Sequence, residues 1–163
     1  MNKRLFNKCK KIRLLVSDVD GVLTDGGMYY SETGEYMKKF HTRDGMGIEL
    51  LLKYDVRTVL ITKENSNIVK KRAKKIKVAK LFSGVTKKEA KLSNICKEFK
   101  VIPEEIAYIG DDVNDIELMK RVGLATSPND GMREVIRLAD YVCEKNGGEG
   151  VLREIAELIL SAR

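Results

Sequence analysis

From Ile12 onward, short apolar runs alternate with longer segments of helical period, and this alternation admits few folds. The runs Arg13 to Ser17, Val56 to Thr62, Lys80 to Phe82, Ile106 to Ile109, Leu124 to Thr126 and Tyr141 to Cys143 are short and apolar on consecutive residues, as strands buried on both faces are. Between them, apolar residues fall on one helical face: Ile48, Leu51 and Leu52; Ile68, Val69, Ala73 and Ile76; Leu92, Ile95 and Phe99; Val151, Leu152, Ile155 and Ile159. These are read as core rather than as catalytic groups. Strands spaced by helices lie parallel, with the helices crossing over the sheet. The expectation is one α/β domain over residues 1–163, a doubly wound parallel sheet, with no linker, repeat or low-complexity stretch to divide it.

Composition excludes several classes of function. No apolar stretch approaches the roughly 20 residues of a membrane span. The N-terminal residues 1–11 are basic but lack the apolar run and cleavage site of a signal peptide, so they read as a basic tail and the chain as soluble and cytoplasmic. Cys9, Cys96 and Cys143 are scattered without metal-site spacing, and Cys96 and Cys143 read as reduced, packed thiols. The excess of 31 Lys+Arg over 24 Asp+Glu raises the question of a nucleic-acid partner. Much of it lies in the tail and in Lys70, Lys71, Arg72, Lys74, Lys75 and Lys77, without aromatic interleaving. That pattern is a solvated helix face, whose field would also attract a small anion.

One segment breaks the alternation. Residues 27–40 hold two β-prone halves around Glu32-Thr33-Gly34, which predicts an inserted β-hairpin. A hairpin projecting alone is marginal in water and offers unpaired edges, so partner strands are its natural protection.

Two acidic clusters carry the chemistry. Asp18-Val19-Asp20-Gly21 follows the first apolar run directly, and in open α/β sheets ligands bind beyond the carboxyl ends of strands. Two carboxylates so close repel unless a cation or a shared proton intervenes, and magnesium suits hard oxygen ligands. A turn or helix cap is the plainer account of that motif alone. Gly110-Asp111-Asp112-Val113-Asn114-Asp115 follows another apolar run, so the two clusters can converge on one metal. Asp115 alone could simply cap a helix starting near Ile116. Thr62 ends the second strand, where its hydroxyl and the following N–H groups can hold phosphate oxygens, and Lys88 stands near a helix start, where an ammonium can neutralise them. Taken singly, either would be structural or solvent-facing.

In that order, Asp-x-Asp, then Thr, then Lys, then Gly-Asp-Asp-x-x-Asp, the chain resembles the haloacid dehalogenase superfamily of phosphatases over nearly its whole length. Asp18 to Gly26, Tyr29-Tyr30, Phe40 to Gly47 and Asn146 to Glu154 are similar to the small branch without a cap domain, that of octulosonate 8-phosphate and nonulosonate 9-phosphate phosphatases. The resemblance implies a Rossmann-like fold with Asp18 as nucleophile, forming an aspartyl phosphate, and Asp20 as the acid that protonates the leaving alcohol and then activates water. It implies Mg2+ held by Asp18, the Asp20 carbonyl and Asp111, with Thr62 and Lys88 on the phosphoryl oxygens and Asp112 and Asp115 supporting from behind. His41, the sole histidine, would position its loop or touch substrate, since Asp20 already has the acid–base role. The branch further implies a homotetramer built through hairpins 27–40, each site closed by a neighbour, with Arg153 a candidate for substrate contact.

The implied substrate is a phosphorylated 3-deoxy-2-ulosonic acid. Octulosonate phosphatases of the branch carry Gly-Arg after the motif threonine, whereas this chain reads Thr62-Lys63-Glu64, and Glu64 with Lys75 resembles the nonulosonate form. Arg43 is octulosonate-like. The balance goes to a nine-carbon 9-phosphate over the eight-carbon 8-phosphate. Two alternatives stand beside the phosphatase reading: a receiver-like phosphoacceptor domain, whose acidic pair and acceptor come in a different order, and a catalytically dead oligomerisation module.

Overall fold

The computed structural model describes all 163 residues. Six strands form one parallel sheet: β1 (Leu14–Ser17), β4 (Arg57–Ile61), β5 (Lys80–Phe82), β6 (Ile106–Ile109), β7 (Leu124–Ser127) and β8 (Tyr141–Val142). Their order is β5-β4-β1-β6-β7-β8, so β1 is central, paired with β4 on one side and β6 on the other. The chain winds outward from β1 in both directions, and the crevice where it reverses opens at the carboxyl ends of β1, β4 and β6. Every residue of β1 and β6 is buried, which is why neither shows polar alternation.

Helices cover both faces. On one side, α1 (Lys3–Lys11), α2 (Thr42–Lys53), α3 (Asn67–Lys75) and α7 (Val151–Leu160) pack around Leu15, Leu60 and Ile109. On the other, α4 (Leu92–Phe99), α5 (Ile116–Met119) and α6 (Arg133–Leu138) pack around Val16, Val59 and Tyr108. No helix is long and apolar enough to cross a membrane. The basic run of α3 is a solvated face: Lys70, Lys71, Lys74 and Lys75 are exposed, while Val69 and Ala73 are buried.

The N-terminal segment corrects the expectation of a tail. Asn2 accepts the Leu5 N–H and starts α1, which buries Leu5 and Cys9 and pairs Lys8 with Asp140 at 2.6 Å. Two apolar residues four apart suffice for one helical stripe, but six polar or basic positions around it mask it. Cys9 is therefore fully buried, whereas Cys96, expected to be packed, is half-buried. Leu52, expected in the core, is 51% exposed, because one step along α2 from the buried Leu51 turns the side chain outward.

The inserted hairpin forms as β2 (Tyr29–Ser31) and β3 (Gly34–Met37), a two-stranded sheet of its own. Tyr29, Tyr30, Tyr36 and Met37 are all exposed, an apolar surface that nothing in this chain covers. At the far end of the sequence, residues 147–148 lie on the loop after β1. Gly148 N–H donates to the Val22 carbonyl at 2.9 Å, and a Cβ on Gly147 would stand 2.0 Å from the Gly21 carbonyl oxygen. Only glycine permits that approach.

Candidate active site

The three central strands deliver their following residues to one point. Asp18 continues the β1 to β6 ladder, its N–H donating to the Ile109 carbonyl at 3.0 Å, and Thr62 extends β4 by donating to Phe82 at 2.9 Å. Lys88 opens a short turn of 3₁₀-helix, Lys88–Lys91, ahead of α4, and its side chain is fully buried. Its ammonium lies 2.8 Å from Asp18 Oδ2 and 2.6 Å from Asp115 Oδ1. Oxygens of Asp18, Asp111 and Asp115 all lie within 4.8 Å of one another.

Asp115 differs from the other two. Lys88 and the Tyr108 hydroxyl, at 2.5 Å, donate to its Oδ1, while the N–H groups of Asp111 and Asp112 donate to its Oδ2 at 3.0 and 3.3 Å. Four donors occupy the lone pairs of a carboxylate. Asp115 therefore orients Lys88 and the Asp111 backbone, and it does not cap the helix that begins at Ile116 with its side chain. Asp112 is exposed and accepts its neighbour Val113 N–H at 2.7 Å, opening the turn that brings Asp115 inward.

Asp111 is where a cation fits. Its Oδ1 is buried without a hydrogen-bond partner, and burial pushes its carboxyl pKa upward, with the charges of Asp18 and Asp115 adding to the effect. Asp18 is also raised, by burial first, against the opposing pull of Lys88. An orphaned carboxylate oxygen beside a second carboxylate is the donor set of a hard divalent cation, which would relieve both. Gly21, at φ +84°, leaves the room: a Cβ there would fall 2.0 Å from Asp111 Oδ2. For Lys88, burial alone would lower the ammonium, but Asp18 and Asp115 outweigh it and hold it above the ordinary lysine range.

Asp20 faces a different set. Its Oδ2 accepts the Thr62 hydroxyl at 3.3 Å, and its Oδ1 meets the ammonium of Lys38 at 2.5 Å. Lys38 was not anticipated from the sequence, because beside Lys39 at the base of a hairpin nothing distinguishes it from a solvated charge. Tyr108 was counted only as strand core; a hydroxyl on a fully buried strand residue just before Gly-Asp-Asp was the available signal.

The expected substrate residues are not all brought together. Glu64 follows Thr62 at the crevice, with its N–H on the Thr62 hydroxyl at 3.1 Å and its own side chain exposed. Arg43 and Arg153 share a cleft of about 430 Å³ with Lys145, Glu144, Glu154 and Glu157, and Arg153 Nε is engaged by Glu157 at 2.6 Å. Lys75 stands in the last turn of α3, the end remote from Thr62, and is not beside the carboxylates of its own chain. His41 uses Nδ1 to accept the Arg43 N–H at 3.3 Å, and its carbonyl accepts Arg72 at 2.9 Å, so it organises the start of α2.

Known proteins resemble this chain in sequence and fold. Residues 54–155 match the haloacid dehalogenase-like hydrolase family. The 3-deoxy-D-manno-octulosonate 8-phosphate phosphatase of Escherichia coli is 38% identical over 156 residues, 96% of this chain and 83% of that enzyme. The crystal structure of the Moraxella catarrhalis phosphatase of that name, in complex with magnesium ion, phosphate ion and KDO, superposes with a TM-score of 0.96 at 32% identity, covering 100% of this chain and 94% of that one. The cobalt-bound Haemophilus influenzae phosphatase gives 0.92 at 35% identity, over 95% of this chain and 91% of that one. The chain is a phosphatase that belongs to the haloacid dehalogenase-like hydrolases, in the capless family of the 3-deoxy-D-manno-octulosonate 8-phosphate phosphatases.

Proposed function

We propose that this phosphatase hydrolyses the phosphate ester of a 3-deoxy-2-ulosonic acid, using Mg2+ and an aspartyl phosphate on Asp18. The observation that carries it is the buried Asp18–Lys88 pair beside the unpartnered Asp111 oxygen, in a fold matched by a relative described with magnesium, phosphate and KDO. Asp18, Asp111 and the carbonyl of Asp20 would hold the ion, which supplies charge stabilisation to the phosphoryl group. Asp18 Oδ attacks phosphorus in line while Lys88 and the backbone N–H that follows Thr62 engage the equatorial oxygens, the Thr62 hydroxyl itself being donated to Asp20. Asp20 protonates the departing alcohol, then takes a proton from the water that opens the aspartyl phosphate. A receiver-like domain is disfavoured by family membership, and a dead module by the presence of every one of these groups.

Within the class, the nine-carbon 9-phosphate is the first reading. Its support is Glu64, an acceptor with no partner in its own chain, standing at the crevice where the octulosonate branch carries arginine. The eight-carbon 8-phosphate is the second, favoured by the relatives' names and by Arg43. Comparing kcat/KM for the two sugar phosphates, with released phosphate as the readout, tests both. A clear preference for the nine-carbon ester is expected, a preference for the octulosonate would reverse the order, and activity confined to unrelated phosphates would remove the ulosonate assignment.

The exposed face of Tyr29, Tyr30, Tyr36 and Met37 supports assembly through the hairpins as a homotetramer, in which a neighbour closes each uncapped site. Light scattering at micromolar concentration is expected to give four times the chain mass. A monomeric mass would refute the assembly.

A further inference from the structure

Lys38 has no part in the function described so far, yet it is among the most buried charges in the molecule. It follows β3 directly, is 7% exposed, and belongs to neither hydrophobic core cluster. Its ammonium lies 2.5 Å from Asp20 Oδ1 and 3.1 Å from Glu35 Oε1. Burying a long cationic side chain costs desolvation and rotamer entropy, so such a residue persists only where it is well paired. Burial opposes the charge, but the hydrogen bonds to Asp20 and Glu35 outweigh it and keep the ammonium above the ordinary range.

The two oxygens of Asp20 are thus held by two donors on opposite sides, Lys38 on Oδ1 and the Thr62 hydroxyl on Oδ2. A carboxylate with one donor still turns about its terminal torsion, which is broad, whereas one with two has its plane fixed. The other partner of the Lys38 ammonium is braced as well. Glu35 accepts the Ser66 hydroxyl, and Ser66 caps α3 by accepting the Val69 N–H at 3.2 Å. One chain of contacts, Asp20 to Lys38 to Glu35 to Ser66, ties the loop after β1 to the inserted hairpin and to α3.

We propose that Lys38 is the positioning residue of Asp20: from the base of the hairpin it fixes the plane of the Asp20 carboxyl for both proton transfers. This rests on the acid–base role of Asp20 given above. In the first transfer, the Asp20 proton goes to the bridging oxygen as the phosphorus–oxygen bond to the sugar breaks and the bond to Asp18 forms. In the second, Asp20 takes a proton from water as that oxygen bonds to phosphorus and the phosphorus–oxygen bond to Asp18 breaks, freeing the Asp18 carboxylate and phosphate. Lys38 exchanges no proton in either. Its effect is geometric, of the kind in which a displacement of about 1 Å costs up to about 100-fold.

The test compares leaving groups. In the full-length protein with Mg2+, Lys38→Met is expected to lower kcat/KM for a sugar-acid phosphate by about 10- to 100-fold, because an alcohol must be protonated as it leaves. For p-nitrophenyl phosphate, whose product departs as a stable anion, the loss is expected to stay under about threefold. Lys38→Gln, which keeps a donor without the charge, should recover part of the sugar-phosphate rate, a rescue that a general structural defect would not show. Asp20→Asn is the reference and should give the same split, only larger. If Asp20→Asn lowers both substrates alike, the acid role and the Lys38 inference fall together. If Asp20→Asn gives the split but Lys38→Met lowers both alike, or neither, the inference about Lys38 alone is overturned. Should Lys38→Met not fold, Lys38→Gln and Glu35→Gln carry the same comparison.

Discussion

Asp18→Asn is expected to release phosphate from the best substrate at least about 10⁴-fold more slowly than the wild type, the scale on which loss of a nucleophile acts. The amide has the shape of the carboxylate and sits in the same 5% exposed position, so the loss is chemical. Lys88 keeps Asp115 as its partner at 2.6 Å and is not stranded by the change. The variant should therefore melt near the wild-type temperature while its activity disappears. Chelating the metal should inactivate the wild type similarly, and readdition of Mg2+ should restore the wild type but not Asp18→Asn. Near-wild-type turnover by the purified variant would show that the covalent mechanism is wrong.

Lys88→Met should lose both rate and stability. The ammonium is the only cation contacting Asp18 and Asp115, and it is fully buried. Removing one partner of a buried ion pair typically costs about 3–5 kcal/mol, because the charge left behind has neither water nor a counterion. Here two carboxylates are left, with Asp111 close by. Thermal unfolding should record the loss, and phosphate release should fall about 10³-fold with the missing electrostatic contact. Mg2+ should then raise the melting temperature of the variant more than that of the wild type, since the ion takes over charge that Lys88 had balanced. An unchanged melting temperature together with an unchanged rate would mean that Lys88 lies outside the working site.

Strands were the most legible part of this fold, because a strand buried on both faces writes itself as consecutive apolar residues, as Leu14 to Val16 and Ile106 to Ile109 do. The carboxylates after β1 and β6 were legible for the complementary reason: nothing in a hydrophobic core explains Asp18 or Asp111 at the ends of such runs. Helix α1 was not, since Leu5 and Cys9 are its only buried residues and lysines surround them. Lys38 was invisible because its role depends on where the hairpin base meets the loop after β1, a contact between residues 18 apart that no local pattern encodes. Asp115 and Lys75 mark the same boundary from opposite sides. The sequence left open whether Asp115 capped a helix, and only the four donors around it decide against that. Lys75 was suggested by resemblance, but the length of α3 carries it away from Thr62.

The contact between Gly147-Gly148 and the loop after β1 bears on how enzymes of this shape can acquire new substrates. The two loops touch backbone to backbone: a Cβ on Gly147 would meet the Gly21 carbonyl at 2.0 Å, and one on Gly148 would meet the Asp25 nitrogen at 2.5 Å. On the other side, Gly21 is pressed against Asp111. A side chain introduced at any of these three glycines would have to be matched by movement in a loop distant in the sequence, or by displacement of Asp111. Single-step variation is thereby closed off around Asp18 and Asp111 and left open at the exposed side chains of Glu64 and Arg43 and along the hairpin. The fold separates a half of the crevice whose backbone is locked, around Asp18 and Asp111, from a half whose side chains stand free to change.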